Sequence, residues 1–181
     1  MIKLPINGKE ETIPTMDEMT VNQYIEFTKT DMNLINYLSV CMGVNYKEAF
    51  NSKIKNTDKL LRRLGQLKDY TKIKPVKRLI IDNELIFIKN IEISTVGQRF
   101  MIEENSTGMQ NEEFLCFILA VGIVSDPMNI DEINKMKSKL MNEPYINVLP
   151  YGFFLANRFL IGKKNAMNFF RWLKALIKMK D

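Results

Sequence analysis

The side chains that could do chemistry in this sequence are carboxylates and cysteines, because its 181 residues include no histidine. Histidine is the commonest general acid–base group and metal ligand, so Ser–His and Cys–His nucleophile pairs are excluded. Paired acids occur at Glu10-Glu11, Glu103-Glu104 and Glu112-Glu113. Neighbouring residues on a helix do not face each other, so these pairs indicate surface charge and not acid–base catalysis.

The two cysteines, Cys41 and Cys116, both lie in apolar runs with helical spacing. Free cysteine is among the most buried residue types, so we interpret both as core residues, and a disulfide cannot be read from sequence. The sequence has no Cys-x-x-Cys pair, no glycine-rich phosphate loop after a strand and no calcium-loop pattern. We therefore expect no cofactor, no metal, no small-molecule substrate and no enzymatic activity.

Positive charge gives the first candidate interaction surface. The formal net charge is +5 and the pI is about 9.1. Such charge suits nucleic acid, an anionic membrane surface or an acidic protein, but it is equally typical of ordinary solvated helix faces. The candidate basic face consists of Arg62, Arg63, Lys164, Arg171, Lys174 and Lys178, the last four in a helix expected at about 164–179.

Aromatic residues give the second candidate surface. A helix expected at about 151–161 carries four of them, and Trp172 lies in the helix that follows. Aromatic side chains at helical spacing usually belong to a core, but apolar surface beyond what a core needs is where partner chains bind. The candidate apolar partner interface consists of Tyr151, Phe153, Phe154, Phe159 and Trp172.

The segment that must organise these surfaces is Asn111–Ser125, in which an almost unbroken apolar run extends from Phe114 to Val124. A helix that is apolar on all sides must be covered on all sides, so we predict that it is the central helix of the core. No apolar run reaches the roughly 20 residues of a membrane span, and the opening residues lack a signal-peptide core. We expect a soluble protein made in the cytosol.

Two β-hairpins are predicted from short apolar runs on either side of turn dipeptides. The first covers residues 1–13 and turns at Asn7-Gly8. The second turns at Asp82-Asn83, between apolar residues 79–81 and 85–88. Together with about seven predicted helices around the central one, these hairpins indicate an α+β fold that is mainly α-helical.

Helix starts are predicted from capping boxes, in which two side chains satisfy each other's free backbone amides. These boxes fall at residues 20–23, 45–48 and 95–98. Asp31 and Asp131 are expected at the starts of two more helices, and Gly43 at the left-handed end of one. The helix after Thr95 is expected to carry Phe100, Met101 and Ile102.

Two further boundaries are predicted from leucines and prolines. A helix at about 58–70 is expected to place Leu60, Leu61, Leu64 and Leu67 inside and to end before Pro75. Residues 143–150 are expected to form a loop, with Pro150 in the first turn of the next helix.

The order of these elements repeats along the chain. The same series occurs twice: a hairpin, then a helix that starts with Thr-Val-x-Gln, then an apolar helix that reaches a glycine. The Thr-Val-x-Gln helices start at Thr20 and Thr95. We interpret residues 1–181 as one domain with pseudo-repeat units 1–75 and 76–142 and a helical extension, 143–181. Coincidence among common capping boxes is the alternative.

The opening of the chain resembles a family. The residues concerned are Ile6-Asn7-Gly8-Lys9-Glu10, Ile13-Pro14 and Met19-Thr20-Val21-Asn22-Gln23-Tyr24-Ile25. They resemble the start of small proteins encoded among tailed-phage morphogenesis genes. Those proteins are tail-assembly chaperones and head-to-tail or tail structural proteins, including ring proteins of crAss-like phages. The resemblance covers roughly the first 45 residues and carries over no catalytic residue.

The resemblance implies a non-enzymatic structural or assembly component of a tailed-bacteriophage virion, either a head-to-tail connector or ring or part of the tail. Such a protein is made in the host cytoplasm and acts as an oligomer. Its expected partners are other copies of itself and neighbouring phage structural proteins, with non-specific nucleic-acid contact in addition. The alternatives are a tail-assembly chaperone not retained in the virion, a small basic nucleic-acid-associated module, and a small enzyme that uses lysine or a carboxylate.

Overall fold

The computed structural model describes residues 1–54, 57–81, 84–87 and 91–159. The predicted class, mainly α-helical α+β, is confirmed: these residues form eight α-helices and two antiparallel two-stranded sheets. The strands are β1 (Ile2–Ile6), β2 (Lys9–Ile13), β3 (Arg78–Ile81) and β4 (Glu84–Phe87). The helices are α1 (Val21–Thr28), α2 (Leu34–Met42), α3 (Tyr46–Asn51), α4 (Thr57–Leu64), α5 (Val96–Asn105), α6 (Asn111–Ile123), α7 (Ile130–Met141) and α8 (residues 145–159).

The first hairpin, β1–β2, forms as predicted. Asn7 and Gly8 take left-handed conformations, with φ of 52° and 81°, as a two-residue hairpin turn requires. Ile2, Ile6 and Ile13 are buried on its inner face. The outer face carries only exposed residues, namely Lys3, Pro5, Glu10 and Thr12.

Helix α6 lies at the centre of the core, as predicted. Every residue from Leu115 to Val121 is at most 5% exposed. Helix α5 attaches to it through Gln98, whose Nε2 donates to the Val121 carbonyl oxygen at 3.4 Å. Helix α7 attaches through Lys137, whose Nζ lies 2.9 Å from Glu113 Oε1.

Two glycines allow the remaining neighbours of α6 to approach closely. At Gly122 of α6, an added Cβ atom would collide with the Ile91 side chain. At Gly152 of α8, an added Cβ atom would lie 2.5 Å from the carbonyl oxygen of Leu115 on α6. Since only glycine has no Cβ, these positions let the segment before α5 and helix α8 complete the cover of α6.

A connection between distant parts of the sequence joins the start of α1 to the start of α8. The Val21 N–H donates to the Glu143 carbonyl oxygen at 3.0 Å, and the Tyr145 N–H donates to the Met19 carbonyl oxygen at 2.9 Å. The Tyr24 and Tyr145 rings stack with centroids 4.4 Å apart. Residues 142–145 therefore dock on residues 19–22.

One expected helix start is wrong by two residues, and another is confirmed. Asn33, and not Asp31, caps α2, because its side chain accepts the Asn36 N–H at 2.9 Å. Asp131 lies in the first turn of α7 as expected, and Asn129 caps that helix by accepting the Glu132 N–H at 3.1 Å. In both places an asparagine just upstream reaches the free amide of the first turn.

The two boundaries predicted from leucines and prolines are also wrong. Helix α4 ends at Leu64 because Gly65 takes a left-handed φ of 80°, so it does not continue to residue 70. Residues 145–150 are helical, and Pro144 precedes the first turn in place of Pro150. The Tyr145 N–H, bonded to Met19, fixes that start.

The side chain of Leu61 was expected inside, but it is 46% exposed. The capping boxes at Thr20, Asn45 and Thr95 and the left-handed Gly43 are confirmed. The division of the chain into pseudo-repeat units stays a prediction.

Candidate interaction surface

The second hairpin, β3–β4, places apolar residues on both of its faces. Its strands pair Leu79 with Ile86 and Ile80 with Leu85. Leu79 and Ile81 are buried, at 3% and 2% exposed. The inner face thus belongs to the core, and its residues alternate with those of the outer face along each strand.

The outer face of this hairpin, consisting of Arg78, Ile80, Leu85 and Phe87 and termed the hairpin face, is exposed. Ile80 is 61% exposed, its direct partner Leu85 is 48% exposed, and Phe87 is 55% exposed. The Arg78 guanidinium lies over the Phe87 ring, 5.4 Å from its centroid. Three large apolar side chains next to one cation make this a surface that can bind a partner.

A cleft of about 350 Å³ opens at the base of the hairpin. It is lined by Pro75, Val76, Lys77, Glu92, Tyr151, Phe154 and Arg158. The chain entering β3, the segment preceding α5 and one side of α8 therefore form its walls. Lys77 is followed directly by Arg78 of the hairpin face, so the two surfaces are continuous along the chain.

Cations and aromatic rings are interleaved in the cleft. The Arg158 guanidinium lies 4.7 Å from the centroid of the Phe154 ring and 3.7 Å from Glu92 Oε1. The Arg158 and Glu92 side chains are 60% and 65% exposed, so water screens this pair and it is weak. Lys77 is exposed and forms no ion pair with any described residue. Burial raises the pKa of Tyr151, while nearby Arg158 opposes that shift.

The aromatic residues predicted as one partner interface have different environments. Tyr151 and Phe159 are 6% and 7% exposed and belong to the core, so they offer a partner far less surface than predicted, although Tyr151 also lines the cleft. Phe153 is half-buried, with its ring centroid 6.3 Å from that of Tyr70. Phe154, 38% exposed, is the one that faces the cleft openly. Trp172 lies outside the described residues.

The predicted basic face can be placed only in part. Arg62 and Arg63 are exposed in the last turn of α4, where positive charge suits the helix dipole. Lys164, Arg171, Lys174 and Lys178 lie outside the described residues. The cations that the structure places beside apolar surface are instead Lys77, Arg78 and Arg158.

The two cysteines pack among apolar side chains, and the Glu112-Glu113 pair forms contacts within the fold. Burial raises the pKa of both thiols, that of Cys41 to about 11, so neither is a reactive thiolate at neutral pH. Glu113 pairs with Lys137, and Glu112 Oε1 accepts the Tyr70 hydroxyl at 3.3 Å. Within the described ranges, no cluster of His, Cys, Asp and Glu could hold a metal ion. In the same ranges, no helix has the length and apolarity to cross a membrane.

The hairpin face was missed from the sequence, although a signal for it was present. Leu79, Ile80 and Ile81 form an unbroken apolar run. A hairpin with one solvated face shows alternation, so such a run predicts apolar residues on both faces.

Comparisons with known proteins leave this surface as the main guide to function. No family model, no curated protein and no solved structure matches the chain.

Proposed function

We propose that this protein is a non-enzymatic structural or assembly component of a tailed-phage particle, working through protein–protein contacts. The observation that carries the proposal is the hairpin face. The opening residues that resemble phage morphogenesis proteins supply the biological setting. The proposed location is the virion.

The hairpin face has the properties of a surface that a partner covers. Three large apolar side chains on a two-stranded hairpin are exposed together, and burying them recovers about 25 cal/mol for each Å² removed from water. Neither β3 nor β4 pairs with a third strand among the described residues. Their free edges can therefore also accept backbone hydrogen bonds from a partner.

The experiment that tests this proposal replaces Ile80 and Leu85 by lysine in the full chain. Tagged protein is produced in host cells during infection, and finished particles and assembly intermediates are analysed by mass spectrometry. We expect wild-type protein in the particles and loss of the Ile80→Lys/Leu85→Lys variant from them. Thr12→Lys on the outer face of the first hairpin is the matched control and should be retained.

The outcomes separate the proposal from its alternatives. Wild-type protein bound to intermediates but missing from finished particles would identify an assembly chaperone. Wild-type protein recovered free of every particle protein, with both variants supporting infection equally, would refute a role in assembly.

Arg62 and Arg63 support a second candidate, a nucleic-acid-associated module. They are adjacent, exposed and unpaired with any acid among the described residues. Phosphate binding by such residues predicts an affinity that falls steeply as salt rises, because counterions are released. Arg62→Glu/Arg63→Glu should then lower the affinity for duplex DNA and reduce its salt dependence; an unchanged titration would exclude this face.

A further inference from the structure

The molecule carries a second exposed apolar surface, on helix α5 and the connection after α6. Val96 and Phe100 are one helical turn apart and are 84% and 52% exposed. Met128, 58% exposed, reaches this helix, because its Sδ lies 3.6 Å from where a Cβ of Gly97 would stand. These three residues, with the exposed acids Glu104 and Asp126, are termed the α5 face.

The balance of charge on the two surfaces is opposite, although Glu92 lines the cleft and the half-buried Arg99 lies beside Phe100 on α5. The cleft and hairpin face present Lys77, Arg78 and Arg158 around their apolar residues. The α5 face presents Glu104 and Asp126 around its own. Complementary charge at the edge of an apolar contact selects the partner and its orientation.

We propose that the α5 face of one copy binds the cleft and hairpin face of a second copy. This contact rests on the proposed assembly role and specifies the partner as the chain itself. The cleft of about 350 Å³ is open enough to receive the Phe100 ring against Phe154. In this contact Glu104 lies opposite Lys77 and Arg158. The ion pair between Arg158 and Glu92 is weak, so Arg158 is able to pair with Glu104 instead.

The contact joins two different surfaces, so its symmetry follows from how they are arranged. If a two-fold axis pairs both surfaces at once, the assembly stops at a dimer. Without such an axis, each contact uses one surface of one copy and the other surface of the next. The unused surfaces then bind further copies, and the assembly closes into a ring or extends. Either mass is consistent with the contact, whereas a monomer is not.

Charge reversal of the full-length protein tests the contact, with mass measured by analytical ultracentrifugation over a concentration series. We expect a concentration-dependent oligomer for the wild type. Lys77→Glu, Arg158→Glu and Glu104→Arg should each weaken association about tenfold or more, since 1.4 kcal/mol changes a dissociation constant tenfold. Lys77→Glu is included because Lys77 has no partner among the described residues, so its loss leaves the fold intact.

Rescue distinguishes a direct contact from a structural defect. Mixing the Lys77→Glu and Glu104→Arg proteins should restore part of the association that each has lost alone. Arg62→Glu, an equal charge change on α4, is the matched control and should associate like the wild type.

Two results would overturn this contact. One is a wild type that stays monomeric over the whole series; the other is reversal variants that associate as it does. In either event, loss of the Ile80→Lys/Leu85→Lys variant from particles would still support the assembly role with a different partner. Failure of both experiments would remove the assembly role as well.

Discussion

The two hairpins share a topology and differ in the faces they turn to water. Both are antiparallel pairs, and both bury isoleucine or leucine on the inner face. The outer face of the first carries Lys3, Pro5, Glu10 and Thr12, whereas that of the second carries Ile80, Leu85 and Phe87 beside Arg78.

This difference separates what folding requires from what binding requires. A hairpin needs one apolar face to attach to a core, and the first hairpin has no more than that. The second hairpin has an additional apolar face that no described part of the chain covers. Folding therefore accounts for the apolar inner faces of both hairpins, but it does not account for the apolar outer face of the second.

The largest expected effect concerns the buried inner faces of the two hairpins. Ile6→Ala and Leu79→Ala should each lower the free energy of unfolding by about 2–5 kcal/mol, because both residues are buried and each truncation leaves a cavity. Urea denaturation followed by circular dichroism measures this. Thr12→Ala, on an exposed position, is the control. A cost for Leu79→Ala well under that for Ile6→Ala would mean that the second hairpin is only loosely attached.

Alkaline pH should weaken the core, where tyrosine side chains are buried. Burial, reinforced by the charge of Glu112, raises the pKa of Tyr24 from 10.0 to about 12. The folded protein thus retains a proton that the unfolded chain loses, so this stabilisation is complete below pH 10 and is lost as pH rises towards 12.

Denaturation midpoints at pH 8, 10 and 11 measure that loss. Tyr24→Phe should make the midpoint less dependent on pH than in the wild type. Tyr46→Phe, which changes an exposed ring away from the Tyr24–Tyr145 stack, is the matched control. Equal pH dependence in the wild type and in Tyr24→Phe would contradict the role given to burial.

Exchanging the outer faces sharpens the comparison directly. Lys3 pairs with Thr12 as Ile80 pairs with Leu85, so one pair can be copied onto the other. Ile80→Lys/Leu85→Thr should change the monomer's free energy of unfolding by less than about 1 kcal/mol and reduce the binding of a hydrophobic dye. Lys3→Ile/Thr12→Leu should increase dye binding. Equal dye binding by the wild type and both variants would mean that the dye binds mainly to exposed apolar residues elsewhere.

The smallest expected effect concerns the ion pair on the first hairpin. Lys3 Nζ lies 3.0 Å from Glu10 Oε1, and the two side chains are 72% and 66% exposed. Glu10→Gln should change the free energy of unfolding by about 0.5 kcal/mol or less. A cost above about 1 kcal/mol in urea denaturation would show that the polar outer face contributes to the hairpin's stability.

Local rules predicted the parts of the fold that are locally determined. The Asn7-Gly8 turn, the capping boxes and the left-handed Gly43 each depend on residues within one turn of each other. The apolar composition of α6 identified the centre of the core without reference to its neighbours. Confirmation is strongest where the determining contacts are close in sequence.

The errors occur where distant residues decide. The start of α8 depends on Met19, which the local sequence around Pro150 cannot show. The cleft joins residue 75 to residue 158, so no sequence spacing predicts it. Leu61 at helical spacing was expected in the core, but α4 turns that side chain to solvent.

The docking of residues 142–145 on residues 19–22 has a consequence during synthesis. Asn22 Nδ2 donates to Asn142 Oδ1 across 120 residues of chain. At a translation rate of about 5–20 residues per second, α1 is synthesised roughly 6–24 s before its partner. During that interval Tyr24 has no Tyr145 ring to stack on, and the Val21 N–H has no Glu143 carbonyl oxygen to bond. Both groups of the nascent chain are then accessible to other binding partners.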